Sequence, residues 1–278
     1  MKQGVEGELF MGATNTGFQK TAWSISPARR HRIWCFAVHA LLIVLLSAIV
    51  VVPSTVSAET GRGYLDLSGG YKTGDFGTPT TSSLYYLSSA IGYVAPRYDV
   101  SATVPYLSLT NKTGGATASE SGIGDVILRG GRVLVPEGHG GFSFDGALAV
   151  KLPTADKNKG LGTGETDYGA FLSVHQRFDK TKLSLLSGYI KVGEPSSVTY
   201  NDIYLYGIGI SQIINNTELY TSFEGRRAIV PGAKNPQEIN VGFFHALNSD
   251  YAIKGGAFSG LNKGGPDFGL VLGFVRWF

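Results

Sequence analysis

The sequence predicts an all-β protein: a transmembrane antiparallel β-barrel of twelve strands, of the bacterial outer-membrane type. Three observations predict it. Two-residue alternation of apolar with polar or small residues recurs along the chain after an apolar leader. The connections between the alternating segments are short and long in turn. With 16% charged residues against 43% hydrophobic, 39 Gly, 15 Phe and 14 Tyr, the composition lacks the charged exterior of a soluble domain.

The leader comes first. Arg29, Arg30, His31 and Arg32 precede a 20-residue, largely apolar run from Ile33 to Val52, then the helix breaker Pro53 and the small-residue site Val56, Ser57, Ala58. This is the order of a secretory signal, with cleavage after Ala58. Residues 1–58 are therefore read as signal peptide, with an overextended start, and 59–278 as barrel. A run of 20 residues is also long enough for an uncleaved single-pass anchor. Pro53 and the Val-Ser-Ala site favour cleavage, since an anchor needs neither.

Cleavage changes the charge. The leader holds Lys2, Lys20, Arg29, Arg30 and Arg32 against Glu6 and Glu8, so 24 basic residues less five and 21 acidic less two leave 19 of each. A neutral mature chain gives no electrostatic ground for binding nucleic acid. Cys35 leaves with the leader, which excludes a disulfide framework and thiolate metal sites.

Twelve strands follow, at about 62–72, 81–94, 98–110, 122–135, 142–153, 167–178, 182–193, 200–214, 217–228, 238–247, 251–261 and 267–278. In the fifth, Phe142, Phe144, Leu148, Val150 and Leu152 take one face, and Ser143, Asp145, Ala147, Ala149 and Lys151 the other. Brief links such as Ala95 to Arg97, Asp179 to Thr181 and Asn215 with Asn216 follow even strands. Longer ones, such as Asn111 to Ser121, Thr154 to Thr166 and Ile229 to Gln237, follow odd strands. In lipid every backbone N–H and C=O must be paired, so a spanning sheet has to close on itself. Its apolar face then meets lipid, and its polar, glycine-rich face lines the lumen. A periplasmic β-sandwich would alternate too, but it would expose a charged outer face.

At the C-terminus, Phe268, Leu270, Leu272 and Phe274 alternate up to Phe278. A final strand ending on an aromatic residue resembles the signal read by the barrel assembly machinery, here carried by Phe274, Trp277 and Phe278. Arg276 departs from that pattern, and Trp277 is expected to substitute for it at the interface. Tyr64, Tyr71, Tyr98, Tyr106, Tyr168, Tyr189, Tyr200 and Tyr251 fall near strand ends, as an aromatic belt would.

Three stretches are more specific than the barrel pattern: GIGDVILRG at 122–130, ALAVKLPTADKNKGLGTGETDYG at 147–169 and LLSGYIKVG at 185–193. Together they resemble the outer-membrane family named for the MetA pathway of phenol degradation. The motif residues are Lys151, Leu152, Pro153 and Thr154, then Gly162, Gly164 and Asp167. Ala155 and Asp156 stand where related sequences often carry Gly-Asp. The resemblance implies an outer-membrane barrel that moves aromatic or otherwise hydrophobic compounds. Read without it, Pro153 marks the end of strand five, and Gly160, Gly162 and Gly164 suit a long exposed turn. That turn lacks the Gly-Lys-Ser/Thr ending of a phosphate loop. Asp156, Glu165 and Asp167 could hold calcium, but a solvated rim is the simpler reading, so neither metal nor cofactor is expected.

Parity places Asp125, Arg129, Asp145, Lys151, His175 and Arg177 in the lumen. As a pore wall they would orient water and a small-molecule solute; as ion pairs they would only stiffen the barrel. A barrel that is purely structural, or that only displays loops, is a further reading. An enzyme needs a Ser-His-acid set, and the mature chain has only His139, His175 and His245, with no Gly-x-Ser-x-Gly elbow and no His-Glu-x-x-His motif. The expected partners are thus outer-membrane lipid, the assembly machinery and a small solute.

Overall fold

The computed structural model describes residues 61–195 and 198–278; the leader, with its cleavage at Ala58, lies outside the described residues. Thirteen strands follow one another: β1 (Arg62–Gly74), β2 (Thr81–Val94), β3 (Tyr98–Thr113), β4 (Ala116–Ile123), β5 (Val126–Val135), β6 (Phe142–Leu152), β7 (Asp167–Phe178), β8 (Thr181–Lys191), β9 (Ile203–Ile214), β10 (Thr217–Arg226), β11 (Gln237–Ala246), β12 (Tyr251–Gly260) and β13 (Phe268–Trp277). Consecutive strands pair antiparallel, except that β4 and β5 both pair with β3, and β13 returns to β1 in register from Tyr64↔Trp277 to Thr73↔Phe268. That seam closes the barrel wall, as lipid requires.

β4 and β5 are two halves of one wall strand, so the barrel has twelve. β3 pairs with β5 from Tyr98↔Arg132 to Thr103↔Ile127, then with β4 from Tyr106↔Ile123 to Thr113↔Ala116. The halves are separated by Gly124 and Asp125. The sequence reading places a loop at 111–121, where the structure has a hairpin. Its turn is Gly114 and Gly115, with φ of 56° and 89°, the positive pair that a tight hairpin turn of this hand needs. Two glycines thus let β3 and β4 continue as a paired hairpin. At the opposite end, Asp179 and Asn215 supply positive φ in two-residue turns, a conformation that Asp and Asn tolerate.

Alternation sets the two faces. Leu67, Leu87, Leu148, Leu185, Ile208 and Leu272 stand exposed on the outer wall, while Ser68, Asp99, Asp125, Lys151, His175 and Ser211 are buried within it. Ring pairs ride on the outer face at both ends: Tyr71–Tyr85 and Tyr189–Tyr204 towards the long loops, Tyr93–Tyr98 and Tyr251–Phe274 towards the short turns. These are the girdles expected where water meets hydrocarbon.

Three aromatic residues depart from that expectation. Tyr64 faces inward against Phe244, Ala252 and Val275, and Tyr200 is buried in the β8–β9 loop. Trp277 also faces inward, edge-on to Phe244 with ring centroids 6.0 Å apart. It therefore does not replace Arg276 at the lipid interface. Arg276 itself lies over the Tyr251 ring, 5.8 Å from its centroid, so a cation–π contact covers the outer position.

Leu272 is 68% exposed at the middle of β13. Leu272→Arg is expected to destabilise the barrel by about 2–4 kcal/mol in reversible urea unfolding from liposomes, as a cation at mid-bilayer does. A change below ~0.5 kcal/mol would be inconsistent with that face meeting lipid.

Candidate functional site

The three motif stretches, far apart in sequence, meet at one place. Lys151, 1% exposed on the inward face of β6, lies 2.8 Å from Asp167 of β7 and 3.3 Å from Asp125, between β4 and β5, and donates to Thr163 Oγ1 at 3.2 Å. Asp167 accepts the Gly193 backbone N–H at 2.8 Å, which brings in the third stretch. Asp125 accepts the Ala155 N–H at 2.9 Å, and its carboxylate fills the space that a side chain at Gly162 would need. Charged groups so deeply buried persist only when paired and hydrogen-bonded, and here both carboxylates are.

Thr154 mends the broken wall strand. Its hydroxyl donates to Gly124 C=O at 3.0 Å and accepts the Val126 N–H at 2.9 Å, so the backbone on either side of Asp125 stays satisfied. Pro153 follows the last paired residue, Leu152, where no ladder donor is needed. The loop then turns inward. Asp156 caps a short 3₁₀ turn at Lys157–Lys159, Gly160 and Gly164 take φ of 71° and 80°, and Leu161 is buried against Leu84, Leu107 and Leu109. The exposed turn of the sequence reading is thus a segment folded into the barrel mouth. Asp167 faces Lys151 while Asp156 caps the turn, so the suggested calcium carboxylates do not converge. Among the described residues no group of three His, Cys, Asp or Glu is placed to hold a metal.

Several of the remaining inward charges also face partners of opposite sign. Arg129 pairs with Asp99, and Arg177 with Glu137 at 2.9 Å. Lys182 bridges to Glu218 at 3.2 Å, Arg226 to Glu238 at 3.0 Å and Lys254 to Asp66 at 2.5 Å. His175 shares a hydrogen bond with Ser184 Oγ through Nδ1 at 2.8 Å and lies 3.4 Å from Asp145 through Nε2. A hydrolase triad uses the nitrogens the other way round, with Nε2 on an accessible serine. Ser184 is 3% exposed. The trio links β6, β7 and β8, and no substrate carbonyl could approach that hydroxyl.

The interior is unevenly filled. Towards the long loops, Ile127, Phe171, Ile190, Ile203 and Leu205 form an apolar cluster with Tyr200 and Ile229 from inward-folded loops. Towards the short turns, the opposite wall is packed by Tyr64, Phe244, Ala252 and Val275. The inward face is therefore not uniformly polar, as alternation suggested. Between the clusters, inward residues keep partial exposure: Ser88, Ala90, Thr103, Asp145, Ser173, Gly207, Tyr220, Asn240 and Val271. That exposure marks a hollow at mid-height.

The family described as "Putative MetA-pathway of phenol degradation" matches residues 64–274, nearly the whole barrel. The chain belongs to this family. No curated relative matches the sequence. The COG4313 outer membrane channel from Pseudomonas putida F1 is similar in fold, with a TM-score of 0.64 at 15% identity over 82% of this chain and 99% of that one. The KdgM porin aligns with a TM-score of 0.51 at 10% identity, over 77% and 99%. At these identities the likeness establishes an outer-membrane barrel fold and leaves function to the site.

The motif of this phenol-degradation family member has a testable role. Lys151→Met would leave Asp125 and Asp167 buried beside each other without a cation, a loss of about 3–5 kcal/mol. The segment after Pro153 should then leave the mouth, and trypsin should cut at Lys157 and Lys159 at least tenfold faster than in the parent barrel. Equal cleavage rates would contradict the tether.

A second anchor is pH-dependent. Asp202, in the β8–β9 loop that carries Tyr200 inward, accepts the Tyr189 hydroxyl at 2.6 Å, the Val192 N–H at 3.1 Å and Lys191 Nζ at 3.2 Å. The Tyr189 hydrogen bond, above all, holds its carboxyl below the usual aspartate range, against the opposing push of desolvation. Because the folded value is depressed, the anchor is complete above the unfolded value of ~3.9 and fades as pH falls through the lower folded one. Protection of the Val192 amide from hydrogen exchange, corrected for intrinsic rate, should hold from pH 7 to 5 and weaken only below about 4. Loss already at pH 6 would point to another group.

Proposed function

We propose that the protein is an outer-membrane channel that passes small, aromatic or hydrophobic compounds. The observation that carries this reading is the hollow at mid-height between packed apolar clusters, bordered by inward groups that are partly exposed, among them Asp145 beside His175 and Lys254 beside Asp66. A wall of paired charges presents dipoles to a solute without a large net field. Apolar side chains on the same wall, among them Leu186 and Val271, offer contact to a solute that has shed its water. Family membership agrees with that solute class. On this reading the chain is exported by the leader ending at Ala58 and inserted by the assembly machinery through its final strand, with Phe274 and Phe278. Asp145, partly exposed in the hollow, then borders the route, with Arg177 at the short-turn end, while Asp125, Arg129, Lys151 and His175 lie buried in the wall behind it.

A structural or loop-display barrel is the second reading, favoured by the burial of Leu161, Tyr200 and Ile229 from three loops in the long-loop mouth. Single-channel recording in planar bilayers separates the two. A channel should give discrete conductance steps, and Asp145→Ala, which removes a carboxylate 19% exposed in the hollow, should change their size by a measurable fraction. Liposomes carrying the protein should swell in small aromatic solutes faster than in sugars of similar mass. The absence of both conductance and swelling would sink the channel reading.

A further inference from the structure

One row of paired residues crosses six strands on the inward wall. Tyr86 on β2 faces Gly70 on β1, which faces Val271 on β13, then Gly256 on β12, Gly242 on β11 and Tyr220 on β10. A side chain at Gly70 would overlap the Tyr86 ring, so that ring lies flat across β1. A side chain at Gly242 would likewise overlap Tyr220, whose hydroxyl lies 3.5 Å from the Cβ position of Gly256 on β12. The two phenols thus lean towards each other from either end of the row. Between them the floor is Val271, and the gap spans about two strand spacings, roughly 9–10 Å. That is the width of one benzene ring in van der Waals contact with its neighbours. Tyr86, Val271 and Tyr220 all keep partial exposure.

We propose that Tyr86 and Tyr220 form a binding slot over Val271 for a single small phenol in the barrel lumen. The floor supplies apolar contact for a flat ring, and Gly70 and Gly242 let the two tyrosine rings lie low enough to flank it. The flanking phenols supply aromatic edges and two hydroxyls able to donate to or accept from the solute's own hydroxyl. Asn240 and Phe258, partners in the next row towards the long loops, border the slot on that side; Lys254, bound to Asp66, borders it on the other. A residue of larger volume at Val271 would occupy the slot. The inference rests on the channel reading for its purpose, though binding itself does not require conduction.

The test uses the mature barrel in lipid nanodiscs, with empty nanodiscs as control, and saturation-transfer NMR with phenol and with cyclohexanol. Phenol should bind saturably and at least tenfold more tightly than cyclohexanol. Tyr86→Leu and Tyr220→Leu should each weaken phenol at least fivefold, and Val271→Phe should abolish it. Heat-modifiable migration in gels identifies the variants that are folded; if a tyrosine variant fails to fold, Val271→Phe decides. Equal binding of phenol and cyclohexanol would overturn the slot, as would phenol binding undiminished in the folded variants. Phenol binding without conductance would retain the slot and sink the channel reading. Conductance without phenol binding would do the reverse.

Discussion

Everything in this structure depends on the pairing of backbone amides and carbonyls where no water is available to do it. A strand edge left open in hydrocarbon would cost several kcal/mol per unsatisfied group, so the seam between β1 and β13 is the condition for the other strands to exist there. The same demand explains Thr154. The wall strand formed by β4 and β5 is interrupted by Gly124 and Asp125, and a side-chain hydroxyl takes the place of the missing ladder bonds at that point. The interruption frees Asp125 to reach Ala155 and Lys151, so the local defect in the sheet creates the tether that holds the following loop inside.

Glycine has two distinct duties. In turns it supplies positive φ, as at Gly114 and Gly115. Along the wall it leaves room for a neighbour's ring: Tyr64 covers Gly92, Tyr86 covers Gly70, and Phe258 covers Gly269. Rings laid against the sheet in this way take less of the lumen than rings standing upright. Bulk is concentrated instead in three apolar clusters, two towards the long loops and one towards the short turns.

The alternation along the chain made the strands, their parity and the closed architecture legible, because lipid on one side and water on the other impose a period of two. It placed Asp145 and Lys151 on the inward face, where they lie in the structure. It could not distinguish Ile127, Phe171 and Ile190, which face inward, from Leu148 or Leu185, which face lipid, by residue type alone. Those inward residues are buried by loops, and a loop's path depends on contacts distant in sequence. The hairpin at 111–121 was hidden because Thr, Ser and Ala at exposed positions carry little apolar signal. The motif residues stood out in the sequence, but their meeting at Lys151 depends on register across β4 to β8.

The pairing of inward charges has a consequence for how solutes would be selected. Arg129, Lys151, Lys182, Arg226 and Lys254 each face a carboxylate within about one side chain's reach. The field of such couples falls off faster with distance than that of isolated ions, so the interior has little means of drawing an ion in from the bulk. On the channel reading, entry would then depend on the cost of stripping hydration, which is smaller for a neutral organic molecule than for a salt ion. Added electrolyte should accordingly leave the uptake of uncharged solutes almost unchanged.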